Sequence, residues 1–134
     1  MMGGMDITAL SALVFAVAAA GVIAFQIALA LGAPWGAYAM GGAFPGRYPP
    51  PMRVAAIVQA VVIAFIAIAV LSAAGLVMPD LAIAFPWLIW VVVAFSALAV
   101  VLNAISRSAG ERRIWVPVAV TMLASSLLVA LSAA

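Results

Sequence analysis

The sequence predicts an all-α integral membrane protein: a four-helix bundle with both termini outside the cytoplasm and a Gly/Pro-rich cytoplasmic cap between helices 1 and 2. Three observations predict it. Of 134 residues, 71% are hydrophobic and 6% charged, and the mean hydropathy is +1.44. Soluble domains carry about 25% charged residues, so this chain has too few to cover a surface facing water. The apolar residues gather into four runs, at about 7–31, 53–74, 81–103 and 114–132, of the length a helix needs to cross a ~30 Å hydrocarbon core. The arginines fall only beside alternate links, Arg47 and Arg53 at residues 32–52, and Arg107, Arg112 and Arg113 at residues 104–113. The positive-inside rule then puts both links in the cytoplasm and both termini outside. The expectation is one transmembrane domain, 1–134, multi-pass in the plasma (inner) membrane.

Asp6 precedes the first run and is a candidate N-cap, its carboxylate suited to the positive end of a helix. No Lys or Arg precedes the run, which continues uncharged to Leu31, so it reads as a retained span rather than a signal peptide. Small residues recur at every fourth position, Ala12, Ala16, Ala20, Ala24, Ala28, Gly32 and Gly36, a row that lets a neighbouring helix approach closely in lipid. Residues 32–53 then collect half of the ten glycines together with Trp35, Tyr38, Phe44 and Tyr48. The second run ends at Gly75, a fitting residue just past a helix C-terminus. Asp80 is placed to cap the third, and Pro86 in its second turn predicts a kink or irregular start. Phe85, Trp87 and Trp90 suit an interfacial aromatic belt. The fourth run carries Pro117 in its expected first turn, where a missing N–H costs little. Runs two and four both end in LSAA, which fits either a duplicated hairpin or low complexity.

Composition also excludes chemistry. The chain has no cysteine, histidine or lysine, which removes thiolate nucleophiles, the commonest general base and metal ligand, and Schiff-base formation. Its only carboxylates are Asp6, Asp80 and Glu111. No cofactor is expected, a metal site is not expected, and the few charges do not make a nucleic-acid surface.

The polar side chains gather at the cytoplasmic end. Gln26 and Gln59 lie inside the first and second runs, and Asn103 closes the third. An amide in hydrocarbon needs a partner, so these three are either interhelical glue or the lining of a pocket beneath the cap. The candidate ligand-binding set is Gln26, Trp35, Tyr38, Arg47, Tyr48, Arg53, Gln59, Asn103, Arg107, Glu111, Arg112 and Arg113. The arginines satisfy the positive-inside rule without a ligand, or face one another around a phosphate or carboxylate, with anionic lipid head groups the nearest such partner. Glu111 is expected to pair with an arginine, Arg107 being one turn earlier.

The stretches LALGAPWG, GG, PG and PPPMR, followed by NAISRSAGERRIWVPV, resemble an uncharacterised family of small four-span bacterial integral membrane proteins. The resemblance covers nearly the whole chain and implies the four-span fold. It implies no activity, substrate or catalytic residue.

Three functions fit these features. The first is a non-catalytic lipid- or small-molecule-binding bundle, or an accessory subunit of a larger membrane complex, with its polar site in the cytoplasmic half. The second is a small transporter working as a homo-oligomer, since four spans are few for a fold built from paired repeats. The third is an intramembrane enzyme on a lipid-like substrate, for which no nucleophile–base pair is visible.

Overall fold

The computed structural model describes residues 6–133, and every described element is helical. Five α-helices follow one another: α1 (Ile7–Ala30), α2 (Pro50–Ala73), α3 (Pro79–Ala84), α4 (Leu88–Ala104) and α5 (Ala109–Ala133). Two 3₁₀ turns, Gly36–Tyr38 and Met40–Gly42, fold the long link between α1 and α2. The helices α1, α2 and α5 are long and apolar enough to cross a membrane, and α4 is a shorter apolar helix. Their outward faces are hydrocarbon, with Leu31 at 81% and Val17 at 74% exposed. Such a surface suits lipid as the solvent.

The helices run alternately up and down. α1 packs between α2 and α5, α4 packs on α5, and α2 meets α4 only sparingly. The 31–49 link and the α4–α5 link lie together at one end, the cap end. The α2–α3 turn and the described termini lie at the far end. The far half holds the main core, where Phe15, Val70, Val92 and Val129 interlock with Ala12, Ala19 and Ala130. A smaller cluster of Leu29, Ala39, Tyr48 and Ala56 ties the cap to α1 and α2.

The helix ends follow local chemistry. Asp6 caps α1, its Oδ1 accepting the Ala9 N–H at 2.8 Å. Gly32 (φ +100°) ends α1 in a left-handed conformation, with Gly32 N–H donating to Leu29 O and Ala33 N–H to Ala28 O. Gly75 (φ +77°) ends α2 the same way, with Gly75 N–H on Ser72 O and Leu76 N–H on Leu71 O. These paired bonds satisfy the last carbonyls of each helix.

Several sequence expectations need correction. The fourth-position row does not form one packing face. Ala12 is fully buried while Ala20 and Ala24 are exposed, and Gly32 ends the helix before Gly36. A four-residue repeat on a helix of 3.6 residues per turn drifts by about 40° per step, so the row winds off any one neighbour. The second helix begins at Pro50, not Arg53, because proline is at home in a first turn. The third run has the irregular start that Pro86 predicts, and it takes the form of a full break. Pro86 disfavours helical backbone at Phe85, which adopts φ −131°, ψ 67°, and the run divides into α3 and α4. Met78 (φ +40°) is the N-cap of α3, and Asp80 lies inside its first turn. The fourth helix starts at Ala109, so Pro117 lies two turns inside it and not at its start. The repeated LSAA segments also differ in use. Ser72 Oγ donates to Met78 O at 2.7 Å and accepts the Ala82 N–H at 3.0 Å, bracing the α2–α3 turn. Ser132 Oγ bonds only to Leu128 O, one turn earlier on its own helix.

Candidate functional site

The cap is fastened to the start of α5. Ser108 and Glu111 have the S-x-x-E spacing of a capping box, and the Ser108 Oγ accepts the Glu111 N–H at 3.1 Å. The reciprocal half is diverted. Glu111 Oε2 accepts the Gly41 N–H at 3.0 Å instead, and Ser108 N–H donates to Ser106 Oγ. Ser108 Oγ donates to Ala37 O at 2.6 Å, and Trp115 Nε1 donates to Tyr38 O at 3.0 Å. The bonds to Gly41, Ala37 and Tyr38 each serve a backbone group of the link between α1 and α2, which must find partners when removed from water.

Two glycines permit the close approach. At Gly36 a Cβ would run into the Phe44 carbonyl oxygen, and the Gly36 N–H donates to Gly46 O at 2.9 Å. At Gly110 a Cβ would run into the Tyr38 ring, which lies over the first turn of α5. Phe25 stands between Trp35, parallel at 6.3 Å, and Trp115, tilted at 4.7 Å. These spacings fall in the favourable range for aromatic pairs.

Beneath this roof lies a cavity of about 230 Å³. α1 supplies Val22, Phe25 and Gln26, and α2 supplies Met52, Ala55, Ala56, Gln59 and Ile63. α4 supplies Phe95, Ser96, Ala99 and Asn103, and α5 supplies Glu111, Trp115, Val118, Ala119 and Met122. Tyr38, Ala39, Met40 and Tyr48 come from the cap. The floor and walls are apolar, and polar atoms enter at separated points.

Six of the twelve candidate residues line this cavity: Gln26, Tyr38, Tyr48, Gln59, Asn103 and Glu111. Among the described residues the amides form no bond between helices. Asn103 Nδ2 donates to Ala99 O of its own helix at 2.7 Å, and neither Gln26 nor Gln59 has a hydrogen-bond partner. Trp35 stands behind Phe25, outside the cavity. The five arginines stay outside it as well. Arg53 Nε donates to Tyr48 O at 2.9 Å, and its guanidinium lies beside Gly32 at the C-terminal end of α1, where a cation suits the negative pole of the helix. Arg112 donates to Ser106 O, Arg113 lines a separate surface groove with Tyr38 and Ser108, and Arg47 and Arg107 are exposed. No arginine pairs with Glu111 among the described residues, contrary to the sequence expectation. Its carboxylate accepts the Gly41 N–H instead.

Electrostatics at the roof are those of a buried acid. Glu111 is 7% exposed. Tyr48 is 3% exposed, and its phenol is raised above the usual tyrosine value, first by burial and then by the charge of Glu111.

Sequence reasoning missed one polar group. Ser96 is 2% exposed, lines the cavity, and its Oγ has no hydrogen-bond partner. A serine in an apolar helix ordinarily returns its hydroxyl to a backbone carbonyl one turn earlier, as Ser125 does with Thr121 O. Nothing in the sequence separates the two. The S-x-x-E pattern at Ser108–Glu111, by contrast, was a usable signal for the start of α5. Comparison with protein-family models, with curated proteins and with solved structures finds no match.

Proposed function

We propose that this is a polytopic membrane protein, with its cap in the cytoplasm and its termini outside, that binds one small molecule or lipid segment in the cavity without transforming it. The orientation rests on the five arginines. Arg47 and Arg107 lie in the two links at the cap end, and Arg53, Arg112 and Arg113 in the first five residues of the helices that follow them, the distribution that retains a link in the cytoplasm. The binding reading rests on one observation, the apolar cavity under the cap with its separated amide, hydroxyl and carboxylate groups. Such a lining holds a ligand by its body and orients it by a few polar contacts. The hydroxyl of Ser96 has no partner, and the one lining carboxylate is engaged with Gly41. Nothing in the lining is arranged as a nucleophile beside its base.

The test is native mass spectrometry of the full chain extracted in mild detergent, compared with Ala99→Phe, which fills the cavity from α4. A bound mass retained by the wild-type chain and lost in the variant is the expected result. A bound mass present in neither, together with no saturable uptake of small apolar probes, would overturn it.

A further inference from the structure

Resting on that binding reading, we infer that the cavity is selective for an organic monocation: a substituted ammonium on a small apolar body. Among the described residues Glu111 is the only charged side chain in the lining, and all five arginines lie outside it. Its Oε2 accepts one neutral N–H, and its Oε1 accepts none among the described residues. Oε1 is not among the buried atoms left without a partner, so the free oxygen is open to a guest, and a carboxylate oxygen with no cation of its own favours a positive partner. The same lining holds the rings of Phe25, Tyr38, Tyr48 and Trp115, and aromatic faces attract a cation. A phosphate or carboxylate ligand would instead meet Glu111 with no cation beside it.

Size and depth agree with a small amphipathic guest. An apolar cavity of ~150 Å³ takes benzene, so about 230 Å³ takes a ring with a few further atoms. Ser96 lies two turns below Asn103 on α4, about 10 Å from the cap end of that helix. It puts an unpartnered hydroxyl in the wall away from the acid. Glu111 does brace the cap, and the bracing and the charge are separable, because glutamine keeps an oxygen for the Gly41 N–H while losing the charge.

The experiment titrates the full chain in maltoside micelles, by calorimetry, with three probes of one shape. These are benzyltrimethylammonium, its uncharged isostere neopentylbenzene, and the anion phenylmethanesulfonate, each corrected for partition into empty micelles. Benzyltrimethylammonium is expected to bind saturably and ~10-fold or more tighter than the other two. Glu111→Gln is expected to abolish that preference, so that benzyltrimethylammonium binds no tighter than neopentylbenzene. Gln59→Glu, which adds a second carboxylate to the wall, is expected to strengthen it. Equal binding of all three probes, or an undiminished preference in Glu111→Gln, would overturn the cation assignment and leave the cavity reading standing. Binding of none would overturn both. Displacement by dihexanoylphosphatidylcholine assigns the ammonium to a lipid head group, and failure to displace assigns it to a free amine. Either source is an organic cation.

Discussion

In the far half of the bundle, Phe15, Val70, Val92 and Val129 are fully or almost fully buried and fill the space between the helices. In the cap half, α1, α2, α4 and α5 stand apart around about 230 Å³. The residue types are similar, mostly Ala, Val, Ile and Phe, so composition does not make one half solid and the other hollow. The polar bonds do. At the far end, Ser72 pins a short turn onto its own hairpin. At the cap end, Ser108, Glu111 and Trp115 reach from α5 to the link between α1 and α2, more than sixty residues away in sequence. A roof held by hydrogen bonds spans an opening that dispersion contacts alone would close.

The contrast can be broken from the solid side. Phe15→Ala is expected to cost about 3–5 kcal/mol, since a packed core refills a deleted ring only partly. Thermal unfolding in detergent would register it as the largest fall in Tm among these variants, and a small fall would mean that the far half is not close-packed. Gly36→Ala should act on the roof alone. Its methyl group collides with the Phe44 carbonyl, so the link must open, at a cost of about 2 kcal/mol. Hydrogen exchange should then quicken over residues 36–46 while α1 and α2 keep their protection.

Two serines sharpen the comparison with opposite expected signs. Ser72→Ala removes the acceptor of the Ala82 N–H and one of the two bonds on the Met78 carbonyl, which keeps the Leu81 N–H, and should destabilise by about 1–2 kcal/mol. Ser96→Ala removes a hydroxyl that has no partner and should be neutral or stabilising by up to about 1 kcal/mol. A loss of stability in Ser96→Ala would show that its hydroxyl is engaged.

The smallest effect concerns Tyr48. Burial and Glu111 raise its phenol above the ordinary 10.0, so the folded state holds the proton more tightly than the unfolded chain. The stability this contributes is complete below pH 10.0 and is lost as pH rises through the folded value. Phenolate absorbance in a Tyr38→Phe background should show the raised titration. Glu111→Gln should bring it partway down and leave the larger share, which comes from burial.

How much of this was legible in the sequence divides along the same line. The far end was readable because its determinants are local. Gly75 past a helix end, Pro86 against helical backbone and Asp6 at an N-cap each act over a few residues. The severity of the Pro86 break was not readable, since it depends on whether the residues before it can make a separate helix. The cap end depends on partners distant in sequence. Gly41 to Glu111 and Ala37 to Ser108 leave no periodic trace, so the apolar pattern starts the last run at Ile114 where α5 begins at Ala109. The six cavity-lining candidates were legible as polar groups at one depth. The arginines shared that depth, but their long side chains extend to the surface, which depth along a helix does not reveal.

The break at Phe85–Trp87 has a further consequence for the surrounding bilayer. α4 has 17 residues, about 26 Å at 1.5 Å per residue, whereas α1 and α2 have 24 each, about 36 Å. Against a hydrocarbon core of ~30 Å, the long helices exceed the thickness and α4 falls short of it. In a bilayer the long helices would accommodate by tilting, and the short one by drawing the leaflets together beside it. Such a bundle would present lipid with a rim of uneven height, lowest along α4, and a change in membrane thickness would bear first on that helix, which lines the cavity through Phe95, Ser96, Ala99 and Asn103.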